Sequence, residues 1–501
     1  MGVRSILFAT PDPTGEPDDA EPGHFRDLNL DQVVRAVAEA AGAAGVARYL
    51  HRPLRDAESV AFRQQIFRDL EDPAVLQTAE RFTASMARTR SRLEALERRK
   101  HPPQAHRWFL EIVLDHTAAV IGLAEGLDAS GAASPGLRAL RDDLAGHIRS
   151  AGFTGLLEGA RRLRERLGEI RYDVLVRGDE VSVAPHEEDG RFDHADRVLA
   201  WFERFRQGPP SGETEGAPAL GLDFVEAGVL DLVAELFPGL FGDLAAFCAA
   251  NRDFPAPELD RLDRELRFYL GYLSFLAPVR AAGLPICTPA VSATRKDLLA
   301  RDVYDLALAA KHPQVVTNDL RLDGTERVLV VSGPNQGGKT TLARTFGQLH
   351  HLAALGCPVP GREVRIFLAD AVLTHFEREE APGDLTSGLE AELIRMRALL
   401  KAATPRSVIV LNEVFSSTTP DDARALSETV LASIVRLDAA CLWVSFVDAL
   451  ALTSPAAVSM VGAEERSYRF VRRAADGRAH ALALAERHGL TYAQITARAR
   501  R

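Results

Sequence analysis

Aromatic residues are scarce in this chain, at 7% of 501 positions, and cysteine is scarcer, at four. Cys248, Cys287, Cys357 and Cys441 stand far apart and form no Cys-x-x-Cys pair. This argues against a disulfide framework or a zinc knuckle and fits buried or incidental thiols in a reducing compartment. No run of about 18 apolar residues occurs, so no membrane span is expected. Positive charge is not in excess either. The formal net charge is −10, which excludes a uniformly basic nucleic-acid binder but leaves room for a local basic face. The stretch Met1 to Gly23 has too short an apolar core for a signal peptide. Its Pro, Gly and acidic residues predict a loose tail over 1–26. A cytoplasmic protein is expected, with association with the nucleoid left open.

Helix-favouring Ala, Leu and Arg are abundant. A chain of 501 residues exceeds one compact core, which implies two or three domains. From Asn29 to about Ala151 apolar residues recur at three- and four-residue steps, as in Leu30, Val33, Val34 and Val37. Thr78 to Lys100 reads as one long amphipathic helix rich in arginine. Residues 154–168 read as a second basic helix with Arg161, Arg162, Arg164 and Arg166. The period then changes to two around Tyr172, Val174, Val176, Val181 and Val183, which predicts a hairpin at about 170–185. Residues 207–218 have linker composition. Leu259 to Ala282 predicts a long helix ending before Gly283 and Pro285.

After about Asp302, short apolar runs alternate with helical patterns. The runs are Val328–Ser332, Ser407–Leu411 and Cys441–Ser445. Strands alternating with helices predict a mostly parallel sheet covered on both faces. The expected map is a flexible tail at 1–26 and a helical core and lever domain at 27–302. An α/β P-loop NTPase domain follows at 303–501.

The chemistry centres on Gly333-Pro334-Asn335-Gln336-Gly337-Gly338-Lys339-Thr340, which fits G-x-x-x-x-G-K-[ST] in full. An apolar strand precedes it and a helical run beginning at Thr341 follows. Glycines let successive N–H groups face an anion, and the helix start adds the positive end of its dipole. Lys339 is placed to reach the β- and γ-phosphates of ATP, and the Thr340 hydroxyl to ligate Mg²⁺. Downstream, the apolar run Val408 to Leu411 ends in Asn412-Glu413. Glu413 is the candidate to orient and polarise an attacking water. Asn412 stands on the metal side, where an amide keeps hydrogen bonding but loses the charge of a carboxylate.

The loop Ser332–Thr341, with its Pro334-Asn335 pair, resembles the nucleotide loop of the MutS family of DNA mismatch-repair ATPases. Other segments are similar to that family as well. They are Val316–Asp319, Cys357–Pro360, Asp384–Gly388, Leu411–Thr419 and Leu482–Ile495, and more loosely residues 53–72. The resemblance implies ATP at a homodimer interface, Ser387 touching the γ-phosphate, and levers moved on DNA. Other repair proteins are possible partners. The hairpin would lie where the family inserts its DNA clamp.

The chain also departs from the family. Residues 1–26 hold no mismatch-reading domain. Glu390 and Glu392 follow Ser387 closely, Asn412 replaces a usual Asp, and Ser445-Phe446-Val447-Asp448 replaces a segment with histidine. These departures imply a divergent, standalone and slow ATPase. Two functions are therefore expected in competition. One is a nucleotide-driven switch on mismatched or structured DNA, with basic helices facing phosphates. The other is an ATP-dependent conformational protein acting on a protein partner, with the arginines merely paired to Glu94, Glu97 and Glu165 on solvated helix faces. No Leu-Ser-Gly-Gly-Gln signature supports a transporter ATPase.

Overall fold

The computed structural model describes residues 3–9, 20–99, 101–177, 180–186, 224–334, 336–377, 388–446, 448–463, 467–474 and 496. The linker expected at 207–218 and the C-terminal segment 482–495 lie outside them. The chain divides into two units. One takes residues 81–125 and 144–257; the other takes 3–80, 126–143 and 258–501. This division differs from the boundaries expected at 27 and 303.

The first unit is helical with one small hairpin. Its core is built at helical spacing by Leu110 and Val113, by Ala160 and Leu163, and by Leu240 and Leu244. Gly159 allows close packing, because a Cβ there would meet the Phe247 ring at 2.9 Å. The helix Ala151–Gly168 starts where the Ser150 side chain accepts a hydrogen bond from the Phe153 N–H. Strands Tyr172–Arg177 and Glu180–Pro185 then pair antiparallel, and every side chain of the first strand is exposed.

The second unit is α/β. Its six-stranded sheet runs Val372–Phe376, Val408–Asn412, Ala440–Val444, Val328–Ser332, Ala457–Gly462, Phe470–Arg472. The first five are parallel and the last is antiparallel. Alternation along the strands assigns the two faces. Val328, Val330, Ile409, Leu411, Cys441 and Trp443 share a core with Met396, Leu399, Leu431 and Ile434 of helices Gly388–Ala402 and Pro420–Leu437. The intervening Leu329, Val331, Val408, Val410, Leu442 and Val444 are buried too. The helix Lys339–Ala354 packs against the strands Val408–Asn412 and Ala440–Val444. A second sheet has the order Ala290–Ser292, Glu363–Phe367, Leu298–Val303, Asn318–Leu322. Strands therefore begin upstream of residue 303.

The expectation of a loose tail fails for the described N-terminal residues. Val3, Ile6, Leu7 and Phe25 are buried. Glu265, on the helix Pro257–Ala281, accepts hydrogen bonds from the Ile6 N–H and the Ser5 hydroxyl, both at 2.8 Å. Arg63 donates to the carbonyls of Leu7 and Leu355 at 2.9 and 3.1 Å. Further on, Arg344 and Gln348 donate to the carbonyls of Asp27 and Leu28 at 3.0 and 2.8 Å. The acidic, Pro-rich composition hid a short apolar segment whose polar backbone is satisfied by distant side chains.

No single helix among the described residues is long and apolar enough to cross a membrane. Cys248, Cys287, Cys357 and Cys441 are all free thiols.

Candidate functional site

The site grows from the end of the strand Val328–Ser332. The chain turns there through positive φ at Gly333 (152°), Gln336 (62°) and Gly338 (90°). Gly338 allows this turn at no steric cost, and the Gly337 N–H closes it on the Pro334 carbonyl at 3.1 Å. A helix follows at once, beginning with Lys339. The loop therefore ends on the positive end of a helix dipole.

Lys339 is only 4% exposed. Its Nζ donates to the Gly333 carbonyl at 3.0 Å and lies 3.4 Å from Glu413 Oε1. It also sits 4.8 Å from the centre of the Phe446 ring. Thr340 Oγ1 donates to Asn412 Oδ1 at 3.1 Å. The fold brings these groups together because Asn412 ends a strand in register with Val444, while Val444 pairs with Val331 just before the loop. Lys339, Thr340, Asn412 and Glu413 were all expected from sequence and meet at the C-terminal ends of the inner strands of one sheet. Asn335 and Ser387 lie outside the described residues.

Glu413 has φ 55° although it is not glycine, and Phe415 has φ 61°. Such left-handed backbone persists where surrounding bonds hold it. The Glu413 N–H donates to the Val444 carbonyl at 3.0 Å. Buried Glu392 accepts from the Phe415 N–H at 3.3 Å and from the Ser417 hydroxyl at 3.2 Å. Glu392, a departure from the family pattern in sequence, therefore anchors the turn behind Glu413.

A cavity of about 400 Å³ opens beside the loop. Lys339, Thr340, Thr341 and Glu413 line one part of it; Tyr304, Leu308, Val315, Val316 and Tyr468 supply apolar wall. Asp305 also lines it, and burial pushes its carboxyl above the usual range, partly offset by bonds from Gln348 and the Leu308 N–H. Gln348, fully buried, donates to Asp305 at 2.7 Å and accepts from the Leu306 N–H at 2.8 Å. Sequence reasoning missed the parts played by Tyr468, Tyr304, Asp305 and Gln348. Local sequence does not mark their place at the cavity, since the partners that hold them there include residues 43, 150 and 320 positions away.

The donor set suits a magnesium nucleotide. Mg²⁺ favours oxygen ligands and keeps waters, and it is commonly held by one or two protein groups together with phosphates. Thr340 and Asn412 supply two oxygens. Among the described residues no group of three or more His, Cys, Asp and Glu could hold a metal unaided.

The basic helices of the first unit show a different chemistry. Arg161, Arg162 and Arg164 are exposed and form no ion pair among the described residues. Arg166 pairs with Asp243 at 2.6 Å and Arg92 pairs with Asp115, both from other helices. Arg99 stacks on Trp108 at 3.6 Å. Pairing with Glu94, Glu97 and Glu165 at helical spacing does not occur among the described residues.

Residues 329–469 match the family model of MutS domain V. The chain is 28% identical over 335 residues to an Endonuclease MutS2 of Thermus thermophilus, covering 64% of this chain and 41% of that protein. It is 34% identical over 160 residues to an Endonuclease MutS2 of an Anaeromyxobacter species, covering 30% and 20%. To a DNA mismatch repair protein MutS of Oleidesulfovibrio alaskensis it is 35% identical over 124 residues, covering 24% and 13%. The matched part thus spans about two fifths or less of these relatives. The loop, strands and turn described above thus lie in a segment that matches MutS domain V, and the relatives it is similar to are MutS and MutS2 proteins.

Proposed function

We propose that this chain binds and hydrolyses Mg-ATP at the Gly333–Thr341 loop of a P-loop NTPase domain and acts as a nucleotide-driven switch on DNA. The observation that carries the ATPase reading is the convergence of Lys339, Thr340 and Glu413 on one cavity, with Asn412 accepting a hydrogen bond from the Thr340 hydroxyl. Lys339 is desolvated and preorganised, so its attraction to a phosphate is stronger than in water. On binding, its ammonium exchanges the Gly333 carbonyl and Glu413 for phosphate oxygens. That exchange frees the Glu413 carboxylate to orient a water toward the γ-phosphorus. Bound Mg²⁺ would neutralise developing phosphate charge, held through Thr340 and supported by Asn412. Because Asn412 is uncharged, turnover is slow.

The DNA part rests on Arg161, Arg162 and Arg164, exposed and without an ion pair among the described residues, and on what the relatives' names state: two are endonucleases and one is a mismatch-repair protein. A second reading has its own support. In the hairpin, Tyr172, Val174, Leu175 and Val176 are 41 to 66% exposed, which favours a protein partner rather than phosphate. In either case the family likeness suggests a homodimer through the ATPase domain.

The test is binding of homoduplex, mismatched and branched DNA with ATP, ADP and no nucleotide, across a salt series. Affinity that falls steeply with salt and changes with nucleotide supports the DNA switch. Absence of binding in every nucleotide state rejects it and leaves the protein-partner reading.

A further inference from the structure

Tyr468 is unusual in three ways at once. It lines the cavity beside the glycine loop. Its backbone is left-handed, with φ 55°, a conformation an aromatic residue rarely adopts. Its side chain is 47% exposed although it stands beside a deep apolar wall. A free tyrosine would relax from this state, so something holds it.

Asn318 does so, from 150 residues away. Its Nδ2 donates to the Tyr468 carbonyl at 3.0 Å, and its Oδ1 accepts from the Phe470 N–H at 2.7 Å. One amide thus grips both sides of the turn into the edge strand Phe470–Arg472. The Tyr468 ring is also set against the loop itself. A Cβ built on Gly338 would lie 3.2 Å from Tyr468 Cδ1. The absent side chain at Gly338 therefore makes room for this ring at the start of the helix that Lys339 begins.

We infer that Tyr468 is the platform on which the base of the bound nucleotide stacks, with Asn318 as the positioning residue that holds it there. The inference rests on the ATP reading above and adds to it the residue that takes hold of the base. The phosphates are served by Lys339, which is buried, and by Thr340, which is half-buried. A base needs a flat apolar surface; besides Tyr468 the cavity offers aliphatic wall in Leu308, Val315 and Val316 and the Tyr304 ring, which is buried where the Tyr468 ring is exposed. Strain at Tyr468 is then the cost of presenting a ring to a ligand rather than to the core. Stacking accepts any base but gains most from the larger ring system of a purine.

The test compares ATP with inorganic tripolyphosphate, which has the phosphates and no base, by calorimetric titration of the full chain. Tyr468→Ala is expected to weaken ATP about tenfold and leave tripolyphosphate unchanged. It should also shrink the preference for ATP over CTP. Tyr468→Phe should restore wild-type ATP binding. Asn318→Ala should weaken ATP by a smaller factor, again sparing tripolyphosphate. In Tyr468→Trp, indole fluorescence should be quenched by ATP and not by tripolyphosphate, a readout that does not depend on the alanine variant folding well. If Tyr468→Ala binds ATP as wild type does, or loses ATP and tripolyphosphate equally, the inference is overturned. If the wild-type chain binds neither ligand, the ATP reading itself fails.

Discussion

In the unit that carries the glycine loop, charged side chains are buried and saturated. Lys339, Arg63, Asp263, Glu265, Asp305 and Glu392 are each 5% exposed or less, and each has a partner. The arginine-rich unit buries no Asp, Glu, Lys or Arg among its described residues, and Arg161, Arg162 and Arg164 stand in solvent. The difference separates two uses of charge. A desolvated, fixed charge acts at short range on one ligand atom. A solvated one contributes to a field that salt screens within about 8–10 Å.

The comparison breaks first at Lys339. Lys339→Ala should weaken ATP by at least about 30-fold, since truncating a buried charged partner costs roughly 2–5 kcal/mol. Calorimetric titration checks this, and near-normal affinity would mean that phosphate is not gripped here. Next in size is Glu413→Gln, which should keep ATP affinity and lower turnover by roughly 10²–10⁴. Steady-state phosphate release against equilibrium binding separates the two effects, and unchanged turnover would remove Glu413 from the role of base.

On the solvated side, changing Arg161, Arg162 and Arg164 together to Ala should leave ATP binding intact. If all three face phosphates, the slope of log affinity for duplex DNA against log salt should fall by about 2.7. An unchanged slope would show that these arginines do not contact nucleic acid.

Asn412→Asp should raise Mg²⁺-dependent turnover a few-fold, because a carboxylate at the Thr340 hydroxyl supports the metal better than an amide. A flat response would place the metal support elsewhere.

The smallest effect expected near neutrality is on stability against pH. Burial lowers the pKa of His350 to about 3 and that of His351 to about 4. Both rings are neutral when folded, and both return to about 6.5 when unfolded. The unfolded chain therefore binds more protons below pH 6.5. The stability these rings contribute is complete above that pH and is lost as pH falls toward 4. The loss is at most about 1.4 kcal/mol per pH unit for each ring. Denaturant midpoints at pH 7, 6 and 5 measure it; a midpoint that rises on acidification would contradict the burial.

Much of the α/β unit was legible because its signals are local. The apolar runs at 328–332, 408–411 and 441–444 are strands that the fold stacks side by side. Lys339, Thr340, Asn412 and Glu413 could be named because each closes or opens such an element. The helix Pro257–Ala281 was readable from its period, though Pro278 lies inside it. The N-terminal residues were misread because composition reports solvation of a free segment and says nothing about a groove waiting for it. Glu392 looked like a defect in a motif; its role lies in the Phe415 N–H and Ser417 hydroxyl that it holds.

The sequence by itself determined that this chain has a glycine loop between a strand and a helix, a carboxylate after a later strand, and a net negative charge with arginine-rich helices. These follow from periodicity and from residue chemistry over a few neighbours. Only the tertiary structure decided that Lys339 is buried between Gly333 and Glu413, that Asn318 pins Tyr468, and that residues 3–9 and 20–28 are held by packed side chains. Most of those facts depend on contacts between residues far apart in sequence, by up to 320 positions. No local pattern encodes such contacts, because burial and strain are set by whatever the fold brings alongside.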